Sequence, residues 1–177
     1  MNMLTGQNRF NIYLGLLLAS VIAGGCQTAA RKSKVISALR LHLEVYPDGT
    51  DRSQPVPVYR GSPVMINVES TPFLHEAYVS NARLVDADGG FAIQIQFDSH
   101  GARLLELYST AHKGKHFAIF SQFGETADQS RWLAAPLVSR NITDGLFVFT
   151  PDATREEAER IVAGLNAVAK KLEKQEP

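Results

Sequence analysis

Apolar and polar residues alternate from Val35 to Val45. Leu39, Leu41, Leu43 and Val45 fall on one face, and Ala38, Arg40, His42 and Glu44 on the other. A period of two predicts a half-buried strand. Tyr46-Pro-Asp-Gly-Thr then marks a turn. Residues 51–63 carry Pro55, Pro57 and Pro63. Proline cannot donate to a ladder, so any strand there is an edge strand or a loop. Val64-Met-Ile-Asn-Val is a short strand, and Thr71-Pro-Phe-Leu-His-Glu-Ala opens a turn or a helical turn. The stretch from Tyr78 runs into Asp86-Ala-Asp-Gly-Gly, a hairpin signal. Beyond it Phe91, Ile93, Ile95 and Phe97 alternate with Ala92, Gln94 and Gln96, the clearest strand in the chain.

The period then changes. Asp98-Ser99 can cap a helix reaching about His112, with Leu104, Leu105, Tyr108 and Ala111 on one face and Gly114 ending it. Phe117 to Phe123 is a dense apolar strand. Trp132 to Val138 is apolar again, broken by Pro136, and Leu146-Phe-Val-Phe follows an Asp144-Gly145 turn. Thr154-Arg-Glu-Glu157 is a capping box, in which the threonine hydroxyl and the glutamate each satisfy a backbone N–H. Ala158, Ile161, Val162, Leu165, Val168, Ala169 and Leu172 follow at helical spacing, with Lys170, Lys171 and Lys174 where the helix dipole favours cations. Hairpins followed by helices predict an α+β domain: an antiparallel sheet with two helices packed on one face, of ferredoxin-like flavour.

The N-terminus has a different logic. Arg9 is the only charge before an uncharged run over residues 12–23, which Gly24, Gly25 and Cys26 follow. This is the layout of a signal peptide. The apolar run falls short of the ~20 residues a spanning helix needs, which makes a transmembrane anchor the weaker alternative. Ile22-Ala23-Gly24-Gly25-Cys26 resembles a lipobox, although Leu is more usual than Ala23. That resemblance implies cleavage before Cys26, a diacylglyceryl group on its sulfur and an acylated N-terminus. Two or more acyl chains hold a protein on a membrane stably. Ordinary secretion with a free thiol is the alternative. The expected organisation is a lipoprotein signal peptide over 1–25, a lipidated cysteine and small polar tether over 26–34, and one domain over 35–174. Gln27, rather than Asp, after the cysteine favours the outer membrane over the inner in a host with two membranes, with the domain facing the periplasm.

Removing 25 residues from 177 leaves 152, enough for one domain with a real core. The mature chain carries 17 basic and 18 acidic residues. That balance argues against nucleic acid and against a polybasic membrane dock. Cys26 is the only cysteine, so no intrachain disulfide can form.

Two stretches carry a resemblance over roughly residues 65–168. One joins Phe73-Leu74, Ala77, Ala82-Arg-Leu-Val, Ile93-Gln-Ile-Gln-Phe97, Gly101 and Thr110. The other joins Phe117-Ala-Ile-Phe, Ala135-Pro136-Leu-Val, Ile142, Gly145 and the Thr154-Arg-Glu-Glu-Ala158 helix with Leu165. In this order they resemble the head subdomain of the first periplasmic region of SecD, a subunit of the Sec protein-export machinery. The resemblance implies an α+β fold with an antiparallel sheet and a head that contacts the translocating chain during proton-driven export. No transmembrane helix follows the domain in this sequence, so the motor function does not carry over. No SecD functional residue has a counterpart that can be named here. The expectation is a lipid-anchored binding or accessory protein of the cell envelope that contacts a protein or polypeptide partner. The alternative is a structural envelope lipoprotein docked on one fixed protein.

The residues offer little chemistry. His112-Lys-Gly-Lys-His116 spaces two histidines as zinc sites do, but Gly114 interrupts the helix and no Glu follows the first His. Asp86-Ala-Asp-Gly-Gly lacks the later ligands of a calcium loop. Asp98-Ser99-His100 reads as a helix start, and there is no Gly-x-Ser-x-Gly elbow. Trp132, Phe120 and Phe123 are more readily core than groove. No catalytic residue, metal site, cofactor or small-molecule substrate is expected.

Overall fold

The computed structural model describes residues 36–124 and 129–175. The expected signal peptide, Cys26, Gln27 and the expected tether fall outside the described residues.

The strands are β1 (Ile36–Leu43), β2 (Ser53–Val58), β3 (Val64–Glu69), β4 (Leu74–His75), β5 (Val79–Ala87), β6 (Gly90–Phe97), β7 (Phe117–Gly124), β8 (Ser130–Ala134) and β9 (Leu146–Phe149). The helices are α1 (Ser99–Ala111) and α2 (Arg155–Glu173). A 3-10 turn, Glu76–Tyr78, links β4 to β5. The α+β class, antiparallel strands and two helices all hold. The strands divide among three sheets: β4-β1-β7-β8, the hairpin β2-β3, and β5-β6-β9.

Local chemistry sets most boundaries. Ala87 pairs with Gly90 around Asp88-Gly89, and Gly89 has φ +80°, a conformation that costs glycine nothing. In the β2-β3 hairpin Arg52 accepts from the Ser70 N–H at 2.8 Å. Antiparallel alternation then turns the nitrogens of Pro55 and Pro57 away from β3, where a missing donor costs nothing. Asp98 caps α1 by accepting from Gly101 N–H at 2.7 Å. Both bonds of the Thr154–Glu157 capping box form at the start of α2.

The main core joins the first and third sheets. Leu39, Leu41, Phe117 and Ile119 meet Ile93, Ile95, Phe147 and Phe149, with Leu105 of α1 and Ile161 and Leu165 of α2 closing it. A smaller core lies on the other side of the first sheet. There Val56, Val58 and Val68 of the hairpin pack on Ala118, Ala135 and Trp132. Consequently β1 is not half-buried as its alternation predicts: Ala38 and His42 are buried too, His42 beneath the hairpin. His42 donates from Nδ1 to the Glu69 carbonyl at 2.8 Å, with its ring 5.0 Å from that of Trp132.

The α1 face also differs from its prediction. Leu105 is buried and Leu104 and Tyr108 pack on the core, but Ala111 is exposed. Gly101 and Ser109 are buried instead. A Cβ on Gly101 would meet Tyr78 Cβ at 2.8 Å, so close approach demands the glycine. Ser109 Oγ accepts from Ile142 N–H at 2.9 Å, satisfying a loop donor that burial would otherwise strand. Thr71 to Ala77 becomes β4 and the 3-10 turn.

Candidate functional site: a groove between two strand edges

A sheet edge offers N–H and C=O groups that must be paired, covered or left open. In this chain several are covered. The Asn166 side chain of α2 donates to Ala82 C=O and accepts from Ala82 N–H, both at 2.8 Å, standing in for a neighbouring strand along β5. Prolines blunt β2. On β8, the Leu133 carbonyl accepts from Asp152 N–H at 2.7 Å, joining the outer edge of β8 to the chain after β9.

That junction is locked by charge. Asp152 accepts from Arg60 N–H at 2.6 Å, and the Arg60 guanidinium reaches Asp152 and Glu157. Arg131 pairs with Glu157 at 2.6 Å. Burial alone would raise the Asp152 pKa, but the bonds and charge of Arg60 win and hold it below the usual carboxylate range. Glu157 behaves likewise: burial opposes, and Arg131 and the Thr154 N–H prevail. Both are therefore ionised at neutral pH. Tyr59 beside them has φ +69°, unusual for a residue other than glycine, and its hydroxyl accepts from Ala135 N–H at 3.5 Å.

Away from this lock the two edges part. Phe117 N–H donates to Pro136 C=O and Val138 N–H to Lys115 C=O, so the Leu137 N–H and C=O between them point away from β7. On β9, Phe97 N–H donates to Gly145 C=O, which by alternation leaves Leu146 and Val148 pointing away from β6. Leu146 N–H is taken by Asp144 Oδ1 at 3.0 Å. Among the described residues, Val148 and Leu137 have no partner for their outward backbone groups. Both residues line one groove of about 170 Å³, together with Pro136, Val138, Ile142 and Phe147. Leu137 is 56% and Val148 46% exposed, which places two large apolar residues side by side at one groove. Arg140 is the only charged residue lining it.

The other residues weighed from the sequence do not converge. His112 bonds its ring to the Tyr108 carbonyl, while His116 pairs with Glu44 at 2.7 Å. No group of His, Cys, Asp or Glu among the described residues is arranged to hold a metal. Asp98 is spent as a cap, and His100 stacks on Tyr78. Phe123 is core, Trp132 and Phe120 are partly buried, and their rings meet edge-on at 5.4 Å. Leu137 and Val148 were not singled out by the sequence. Leu137 sat in an apolar run, and Val148 in a strand whose alternation shows only that it faces opposite Phe147.

The fold is that of a small α+β head with an open groove between two strand edges. The chain belongs to the SecDF P1 head subdomain family, which matches over residues 45–169. Among solved structures it is similar to SecDF described as a membrane component that enhances protein export, with TM-score 0.54 and 19% identity, covering 81% of this chain and 70% of that one. SecDF in a super-membrane-facing form is similar too, with TM-score 0.54 and 18% identity, but this chain spans only 21% of its length. No curated protein matches the chain.

Proposed function

We propose that this protein is a lipid-anchored, non-enzymatic head of the cell envelope that contacts exported or unfolded polypeptides. The observation that carries the reading is the groove between β9 and residues 136–142, with Leu137 and Val148 exposed, on a head of the SecDF P1 family. Unfolded chains differ from folded ones in displaying apolar side chains and backbone groups, and such a groove offers partners for both. Family membership supports an envelope setting, and Cys26 supplies the anchor. Described helices are too short or too polar to cross a membrane. The head acts by binding, without motor activity.

The test uses the full lipidated chain and a permanently unfolded, reduced and carboxymethylated protein as probe. The probe should bind and be kept from aggregating, while the same protein in its native form should not bind. Leu137→Asp should weaken binding about tenfold by placing charge in the apolar groove. Equal binding of native and unfolded probe, or no binding of either, overturns the reading. A cross-linker at position 137 that captures one and the same envelope protein in cells would replace it with the fixed-partner alternative.

A further inference from the structure

We propose that the groove receives one extended segment as an added β-strand, bonded at once to the Leu137 edge and the Val148 edge. This deepens the polypeptide-binding reading and rests on it. One bond at the closed end sets how the two edges face one another. Leu133 and Asp152 are bonded across the closed end. Leu137 lies four residues beyond Leu133, and Val148 four residues before Asp152. An antiparallel ladder continued from the closed end would therefore set Leu137 directly opposite Val148. Instead a groove lies between them. Each offers one outward N–H and one outward C=O with no partner among the described residues.

These groups define the occupant. A strand has donors and acceptors on both sides and can satisfy both edges, which an apolar side chain or a lipid tail cannot. The protein uses the same two-bond device on itself, where the Asn166 amide closes the β5 edge at Ala82. Side chains of the added strand would lie beside the exposed Leu137 and Val148, which favours Val, Ile or Thr. Arg140 favours a carboxylate at its end of the groove and disfavours a lysine. Proline at a bonded position is excluded for want of an N–H.

The experiment measures binding of a capped peptide of about seven residues, alternating Thr and Val and ending in Glu, to the full chain. Two further peptides carry N-methyl groups on alternate amides, one in each phase. Each phase removes donors to one edge and leaves the side chains intact. Both should bind at least tenfold more weakly than the parent. A loss in one phase alone, or in neither, overturns insertion between the edges while leaving polypeptide binding standing. Failure of the parent peptide and of the unfolded probe together would remove the underlying reading. Val148→Pro removes the outward N–H without taking a ladder bond from β6, at a position where an edge strand tolerates proline, so it should keep the far-UV spectrum and lose at least tenfold in parent binding, whereas Val148→Thr, which keeps the N–H, should not. An unchanged affinity in that folded variant also overturns the proposal.

Discussion

Single residues in this head are held by close contacts whose worth has a definite sign. His42 is the clearest titrating case. Burial disfavours its charged form and lowers its pKa below 6.5, against the opposing hydrogen bond to the Glu69 carbonyl; Arg40 lowers it further and the Glu69 charge opposes. The unfolded chain takes up this proton near 6.5 while the native chain resists, so in that window the unfolded state binds more protons. The contribution of His42 is full above about 6.5 and falls as pH drops towards its lower native pKa. The urea midpoint should therefore decrease from about pH 7.5 to about pH 5.5, and His42→Gln should flatten that slope. An equal slope in the variant would move the effect to another group. Gly164 gives a second test. Alanine normally improves a helix interior by up to about 1 kcal/mol over glycine. Here a Cβ would stand 2.5 Å from Ser37 Cβ. Overpacking wins, and Gly164→Ala should cost about 1–3 kcal/mol. Ser37→Gly in the same chain should recover part of it, a coupling that a double-mutant cycle reads directly.

At the level of elements, α2 does two jobs. Its buried face of Ala158, Ile161 and Leu165 closes the main core, and Asn166 covers the β5 edge. Leu165→Ala should cost about 2–5 kcal/mol by leaving a cavity, and Thr154→Ala about 1 kcal/mol through the lost cap. An unchanged denaturation midpoint for Leu165→Ala would show that the helix does not bear on the core. Asn166→Ala strands the Ala82 N–H and C=O and should cost about 1–3 kcal/mol. It should also raise self-association measured by light scattering, since it opens a strand edge. The periodicity of α2 was legible because both its cap and its apolar stripe are local. The face of α1 was only half legible. Hydropathy ranks Ala111 above Ser109, yet Ser109 is buried because the loop at Ile142 needs its oxygen. No local pattern carries that need.

For the whole molecule, the domain from residue 31 should fold without metal or cofactor. Urea unfolding should be unchanged by a chelator, and a shifted midpoint would reveal a bound ion. Its two cores predict different local stabilities. The hairpin core is small and joins the rest through a few bonds at His42, Val45, Tyr59 and the Arg60 cluster, so hairpin amides should exchange with solvent sooner than those of β6 and β7. Uniform protection would show that the hairpin opens only with the whole fold. Anchoring belongs to this scale as well. Cys26→Ser should abolish labelling by a palmitate analogue, and label retained on the variant would rule out lipid on that sulfur. With Gln27 after the cysteine, fractionation should recover the protein with the outer membrane where the host has two membranes, and recovery with the inner membrane would overturn that assignment.

Most strands in their order along the chain, both helices, the turn before Gly90, the capping box and the family were determined by the sequence itself, because each is written in residues adjacent or periodic along the chain. Tertiary structure decided the rest. It divided the strands among three sheets, since a hairpin blunted by prolines packs on the back of the first sheet. It buried His42 and Ala38, which alternation alone had placed towards solvent. It also decided the groove. Whether a backbone N–H is paired depends on the neighbouring strand rather than on its own side chain, so the open edges at Leu137 and Val148 have no signature in sequence.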